Sequence, residues 1–292
     1  MIPDAPWRVV IVSQLPRVAV DYAELVRSLG HEPVAHLAAR MLPRFDSPES
    51  RQFAAGLQIE GPQELDLVYP ASKERMADVL RHYETDVLLC TAFPWRIPAD
   101  ALAVPRVACV NGHPSLLPKY RGPMPMAWAI RMGETELGMT YHVMDEQFDT
   151  GGILAQTTVP LQDDETSDTL WPKLGEAAAE LVPAAFERLA RGDRGDPQEG
   201  GDYQSLFDDD YAFVDVTQSR EDVHRQVRAW RFAFFGKNLR GPILERHGER
   251  TRLAMTSLTE VEAAERLDCA DGPLWILETE PVRPTEPVET CE

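Results

Sequence analysis

The chain has 292 residues, 43% hydrophobic and 26% charged, and its 48 acidic against 29 basic residues give a formal net charge of -19. That length can bury a sizeable core without disulfides or a structural metal, and no apolar run approaches the roughly 20 residues that would span a bilayer, so no membrane partner is expected. The acidic balance repels a phosphate backbone on average and lowers the expectation of a nucleic-acid partner.

The opening MIPDAPWRVVIV has no basic region ahead of its apolar run, so Arg8 to Val12 (RVVIV) reads as a buried strand, not a signal peptide, and a cytoplasmic protein is expected. A helix from about Asp21 to Leu29 follows, with Gly30 as its stop, and Pro33 to Leu37 fits a second strand. Met41 to Glu64 mixes Pro, Gly and charge without periodicity and reads as a loop with short helical pieces. Ser72 can cap a helix over Lys73 to Tyr83, where Met76, Val79, Leu80 and Tyr83 recur at helical spacing, and Asp86 to Cys90 (DVLLC) is the next buried strand.

Such strand-helix-strand units predict an α/β fold: a Rossmann-like, mostly parallel sheet with helices on both faces and ligands beyond the carboxyl ends of its strands. Thr91 to Pro98 (TAFPWRIP) then lies at a binding edge, and the strand Val107 to Val110 delivers Asn111 and His113 to the same edge. Gly138 to Met144 is a further strand with Asp149 in the loop beyond it. Asp168 to Arg191 has an amphipathic helix pattern, and Gly192 to Gly201 is Gly- and charge-rich enough for a linker. The expected organisation is a catalytic domain over 1–200, a small, mostly β (OB-like) domain over 205–282 with a helix at Arg220 to Ala229, and a disordered Pro- and Glu-rich tail over 283–292. Cys90, Cys109, Cys269 and Cys291 are scattered, so neither disulfides nor zinc are expected.

Asn111 offers amide donors, His113 a group that holds or gives a proton near neutrality, and Asp149 a carboxylate able to orient that imidazole or accept a proton. Together they suit acyl transfer through a tetrahedral oxyanion. Ser115 lacks the G-x-S-x-G setting of a serine nucleophile. Cys109, His113, His142 and Asp149 show none of the usual metal-ligand spacings, so no metal is expected. For His142, mid-strand in TYHVM, a core or pocket-lining role stands level with a catalytic one. The first strand-helix turn, SQLPRVAVD, has no glycine, which removes a dinucleotide-binding oxidoreductase.

The segment resembles the formyltransferase family, in which N-x-H-x-S-L-L-P is followed by Y-R-G and then by D-T-G. The chain has Asn111, His113, Ser115, Leu116, Leu117, Pro118, Tyr120, Arg121, Gly122, Asp149, Thr150 and Gly151 at those places. The likeness is strong over about residues 85 to 160 and weaker over Phe213 to Trp230. It implies transfer of a formyl group from N10-formyltetrahydrofolate to a primary amine without a metal. Asn111 and protonated His113 would stabilise the oxyanion, Asp149 would raise the imidazole pKa, and Ser115, Tyr120, Arg121, Gly122 and Thr150 would support the loops. The folate would lie against Phe93, Pro94, Trp95, Arg96 and Ile97, with Leu89 and Asp145 nearby. Trp95 and Arg96 depart from the smaller, more aliphatic loop of many relatives, which leaves Trp95 flanking either the folate or the acceptor.

For the acceptor, residues 41–66 (MLPRFDSPESRQFAAGLQIEGPQELD) are acidic in balance and hold no lysine run. The first expectation is therefore a small-molecule amine, either an amino sugar on a nucleotide or an amino acid of the ornithine type. A methionyl-tRNA formyltransferase is the alternative, so tRNA stays open as a partner. A formyltetrahydrofolate hydrolase and a non-catalytic folate-binding relative follow, and a homodimer stays open.

Overall fold

A computed structural model describes residue 4 and residues 6–39, 55–233 and 240–282. Strands β1 (Arg8–Val12), β2 (Glu32–Leu37), β3 (Asp66–Val68), β4 (Val87–Thr91) and β5 (Ala108–His113) run parallel. Strands β6 (Glu136–Val143) and β7 (Ile153–Pro160) add an antiparallel pair at one edge, in the order β3-β2-β1-β4-β5-β6-β7. The order turns back between β1 and β4, which opens a crevice beyond their carboxyl ends.

The central strands are apolar runs without polar alternation because both sheet faces are covered. Val9 and Ile11 of β1 point into a core shared with helices α1 (Pro16–Ser28), α4 (Pro125–Arg131) and α5 (Ser167–Ala190). Val10 and Val12 point the other way, into a core closed by α2 (Met76–His82) and α3 (Ala99–Leu102). Cys90 and Cys109 are buried and unpaired in the second core.

Three departures from the expected elements have physical causes. Helix α1 begins at Pro16 and not near Asp21, because a proline in the first turn gives up an N–H that has no helical partner anyway. Ser72 makes no side-chain cap; Lys73–Arg75 form a 3-10 turn before α2 starts at Met76. Strands β3 and β7 have no expected counterpart: β3 is only 3 residues long, and β7 (ILAQTTVP) is too polar to signal a buried strand. Of the expected 41–64 loop, residues 41–54 lie outside the described residues and 55–60 are helical; the expected disordered tail also lies outside them.

The smaller unit comprises α6 (Arg220–Phe232) and an antiparallel sheet of β8 (Ile243–Arg246), β9 (Glu249–Ser257), β10 (Glu265–Cys269) and β11 (Gly272–Pro281), in the order β10-β11-β9-β8. Ser219 caps α6, its Oγ accepting from the Asp222 N–H at 3.1 Å. Helix α6 is shared between two cores. Val223 and Val227 pack with Leu244, Leu253, Leu267 and Leu274 of the small sheet. Ala229, Trp230 and Phe232 join the main core, where Trp230 stacks edge-on to Phe207 at 5.2 Å and its indole N–H donates to the Tyr211 carbonyl at 3.0 Å. Arg228 adds bonds to Asp163 at 2.9 Å and to the Gln162 carbonyl at 2.7 Å. Trp171 and Trp275 are only half-buried.

His224, on the same helix, meets the Thr256 hydroxyl through Nδ1 at 2.8 Å. Burial, helped by the nearby Arg228 cation, pushes its pKa down to about 4 from 6.5. Between those values the unfolded chain binds a proton that the folded chain refuses. Stability is thus full above the unfolded pKa and falls as pH drops through the window, by up to about 3 kcal/mol. Melting temperatures followed across that range should fall less steeply for His224→Gln than for the parent chain, and identical slopes would remove His224 as the cause.

Candidate active site

Asn111 and His113 stand two residues apart on β5 and share one face of the sheet. Gly112 between them faces the other way, where an added Cβ would lie 2.9 Å from the Tyr22 hydroxyl and 3.0 Å from the Met139 and Tyr141 side chains. The Tyr22 and Tyr141 hydroxyls bond at 2.6 Å beneath it, and Thr91 Oγ1 donates to the Gly112 carbonyl at 2.7 Å, so the strand has no slack. In the antiparallel β5–β6 register His142 lies directly opposite Asn111. The loop after β6 then returns Asp149, at a left-handed φ of 56°, to complete the cluster.

The proton positions follow from the acceptors around each group. His113 Nε2 lies 2.9 Å from the Tyr120 carbonyl, which can only accept, so Nε2 carries a hydrogen and Nδ1 faces Asp149 Oδ1 at 3.6 Å. By the same logic His142 donates from Nδ1 to the Val143 carbonyl at 3.0 Å, leaving Nε2 to accept from Asn111 Nδ2 at 3.3 Å. The other hydrogen of that amide points at Asp149 Oδ1, also at 3.3 Å. Asp149 Oδ2 takes the best bond of the group, from the Gly122 N–H at 2.9 Å.

Burial works to raise the Asp149 pKa, but the His113 and His142 imidazoles and the Gly122 N–H outweigh it and hold the carboxyl well below the usual carboxylate range. His113 is 5% exposed, and burial lowers its pKa from 6.5 despite the opposing Asp149 charge. Asp149 does push the imidazole pKa up, as expected, but desolvation outweighs it, and the resting His113 is neutral with Nδ1 open to a proton.

The motif loop is braced by hydrogen bonds from its own residues. Ser115 Oγ donates to the Lys119 carbonyl at 2.8 Å, and its own carbonyl accepts from Thr140 Oγ1 at 2.6 Å. Tyr120, at φ 58°, aims its carbonyl at His113 while its hydroxyl donates to Glu134 at 2.7 Å. Gly122, at φ 116°, passes so close to the Gln204 carbonyl that an added Cβ would lie 2.3 Å from it. Arg121 does not project into solvent; its Nη2 donates to Gln198 Oε1 at 2.8 Å. Thr150 Oγ1 donates to Asp145 at 2.7 Å, which shapes the 145–150 turn.

The Phe93–Ile97 loop stands at the same edge. Phe93 and Trp95 meet edge-to-face at 5.6 Å and, with Met144, pack half-buried against a core that includes Ile97. Pro94 is half-buried beside them. Arg96 reaches the Glu146 carbonyl and lies 5.8 Å from the Phe148 ring centre, tying the two loops that flank the crevice. This wall of aromatic rings and backbone groups suits a flat heteroaromatic ligand. Leu89 is not part of it: its side chain is fully buried in the core under the opposite sheet face.

Two further residues bear on the site: His142, which the sequence left between a pocket-lining and a catalytic role, and Gln198, which it did not single out. His142 acquires its place from the β5–β6 register, and only antiparallel pairing of those strands puts it across from Asn111. Gln198 lies in the stretch expected to be a linker. That stretch is docked instead: Asp196 exchanges backbone bonds with Ile153 at 2.8 and 2.9 Å, and Gln198 Nε2 donates to the Asp149 and Gly151 carbonyls at 2.9 and 2.7 Å. No sequence signal marks it. Among the described residues no cluster of three or more His, Cys, Asp or Glu side chains could hold a metal ion, and no helix is long and apolar enough to cross a membrane.

An amide, two imidazoles and an ionised carboxylate converge beyond the strands of a mostly parallel sheet, a set of groups able to move protons in acyl transfer when the attacking atom comes from a substrate. The family described as "Formyl transferase" matches residues 59–186. The methionyl-tRNA formyltransferase of Myxococcus xanthus is 35% identical over 216 residues, covering 70% of this chain and 68% of that one. Among solved structures, HypX from Aquifex aeolicus in complex with tetrahydrofolic acid superposes with a TM-score of 0.66 at 19% identity, over 94% of this chain and 44% of that one. A sugar N-formyltransferase from Shewanella gives 0.63 at 19% identity, over 88% of this chain and 100% of that one. The chain belongs to the N10-formyltetrahydrofolate-dependent formyltransferase family, enzymes that take a formyl group from a folate donor. Relative to HypX it spans less than half the length.

Proposed function

We propose that the chain formylates the primary amine of methionyl-tRNA. The observation that carries this reading is the sequence likeness to methionyl-tRNA formyltransferases, 35% identical in Myxococcus xanthus and 38% over 148 residues in Synechococcus. The sugar N-formyltransferase resembles the chain in fold at 19% identity. This reverses the ranking that net charge alone suggested.

The bound donor supplies an activated formyl carbon. His113 Nδ1, neutral and facing Asp149, takes the proton that the attacking amine gives up as its C–N bond forms. The resulting imidazolium sits between two acceptors, the Tyr120 carbonyl and the ionised Asp149, which stabilise its charge. Asn111 turns an amide N–H from its long 3.3 Å contacts toward the oxygen that gains negative charge. His113 then returns its proton to the departing N10 as the old C–N bond breaks. The Phe93–Ile97 wall and the 144–148 loop would hold the folate ring.

A second reading, a small amine of the amino-sugar or ornithine type, is favoured by surface charge. Arg246, Arg250, Arg252 and Arg266 of the smaller unit are each paired with an acid, Glu265, Glu245, Glu280 and Asp268. Paired cations contribute less to phosphate binding. Formylation with N10-formyltetrahydrofolate, followed by mass spectrometry of charged methionyl-tRNA and of a panel of amines, decides between them. Preferred turnover of methionyl-tRNA is the expected result. Turnover confined to a small amine would install the second reading, and formate release without any acceptor would point to a hydrolase.

A further inference from the structure

Gln198 uses its whole side-chain amide. Nε2 donates to the Asp149 carbonyl at 2.9 Å and the Gly151 carbonyl at 2.7 Å, while Oε1 accepts from Arg121 Nε at 3.1 Å and Nη2 at 2.8 Å. Two donors and two acceptor positions are all that an amide has. The four bonds join two loops that are separate in sequence, residues 120–122 and 149–151. Those loops carry the groups that orient the acid-base pair: the Tyr120 carbonyl on His113 Nε2 and the Gly122 N–H on Asp149 Oδ2.

The Asp149 carboxylate does not fix itself. Only its 2.9 Å bond to Gly122 is of ordinary length; its contacts with Asn111, His142 and His113 run from 3.3 to 3.6 Å. Its backbone, at φ 56°, is in a region that costs an L-residue energy and persists only where the surroundings impose it. From one side the loop rests on β6, so closely that a Cβ on Gly151 would lie 1.7 Å from the Val143 carbonyl. From the other side stands Gln198. Its own segment is anchored at both ends, by the Asp196–Ile153 backbone pair and by the Gln204 N–H on the Arg121 carbonyl at 2.8 Å.

We infer that Gln198 is a positioning residue for the transfer reaction: by gripping the Asp149 and Gly151 carbonyls it sets the distance between the Asp149 carboxylate and His113. The inference rests on the formyl-transfer reading above. It assigns the stretch after α5 a part in catalysis although its side chains touch no reacting atom.

The test is Gln198→Met, which keeps the length of the side chain and deletes all four bonds, with Gln198→Ala as the second variant should the first not fold. The expected result is a fall in kcat of about 10- to 100-fold, the cost of a small misplacement, with the donor KM little changed. A histidine NMR titration reports the same event without turnover. The titratable groups facing His113 are Asp149 and His142; if the Asp149 charge recedes, the His113 midpoint moves to lower pH. A merely structural Gln198 would lower the melting temperature and leave both readouts where they were. Full kcat together with an unmoved His113 midpoint in a folded variant overturns the proposal. Absence of transfer by the parent chain would sink the formyl-transfer reading, and the His113 midpoint would still show whether Gln198 sets the Asp149–His113 distance.

Discussion

Asp149→Asn should cut formyl transfer by about three to four orders of magnitude while leaving the fold and donor binding intact. The replacement has nearly the same shape, and its carbonyl oxygen can still accept the Gly122 N–H that now bonds Oδ2 at 2.9 Å. What disappears is the charge. The imidazolium formed on His113 would then face a neutral amide, in a setting where burial already disfavours the cation. The new NH2 group would also confront the Asn111 amide, donor against donor. Single-turnover release of tetrahydrofolate and equilibrium binding of the donor separate the two effects. A variant within tenfold of the parent in rate would place the carboxylate outside the proton path.

His113→Asn should cost about two to four orders of magnitude and remove a limb from the pH profile. Because burial depresses the His113 pKa below 6.5, the neutral base is present at neutrality and is lost only as pH falls through that lowered value. The parent rate should thus rise with pH through a step below 6.5 and then be governed by the amine's own ionisation. In the variant the lower step should vanish while the amine step remains. A lower step that survives in His113→Asn would have to come from another group and would remove His113 as the base.

The parts of this architecture legible in the sequence are those that depend on local pattern. Buried strands such as RVVIV and DVLLC announce themselves because covered strands need no polar alternation. Asn111 and His113 are two apart, so any strand puts them on one face. Properties set by distant neighbours were not legible. Asp149 near His113 suggests a raised imidazole pKa until the depth of burial is known, and burial reverses the sign. Gln198 reaches Asp149 across 49 positions of sequence from a stretch whose glycines and charges read as a spacer. Net charge ranks the acceptors differently from the sequence relatives, because it averages the whole surface and carries no information on the acceptor-binding residues.

Helix α6 has a bearing on how this molecule can be divided. Its first turns belong to the small sheet and its last turn, with Trp230 and Phe232, to the main core. Cutting the chain before α6 would not free a self-sufficient catalytic half; it would open a socket beside Phe207 and Tyr211 where an indole had been, a loss on the scale of about 3–5 kcal/mol. Melting of the two units is therefore coupled through one helix, and an exchange of the second unit between relatives has to carry the helix, or its aromatic end, along with the sheet.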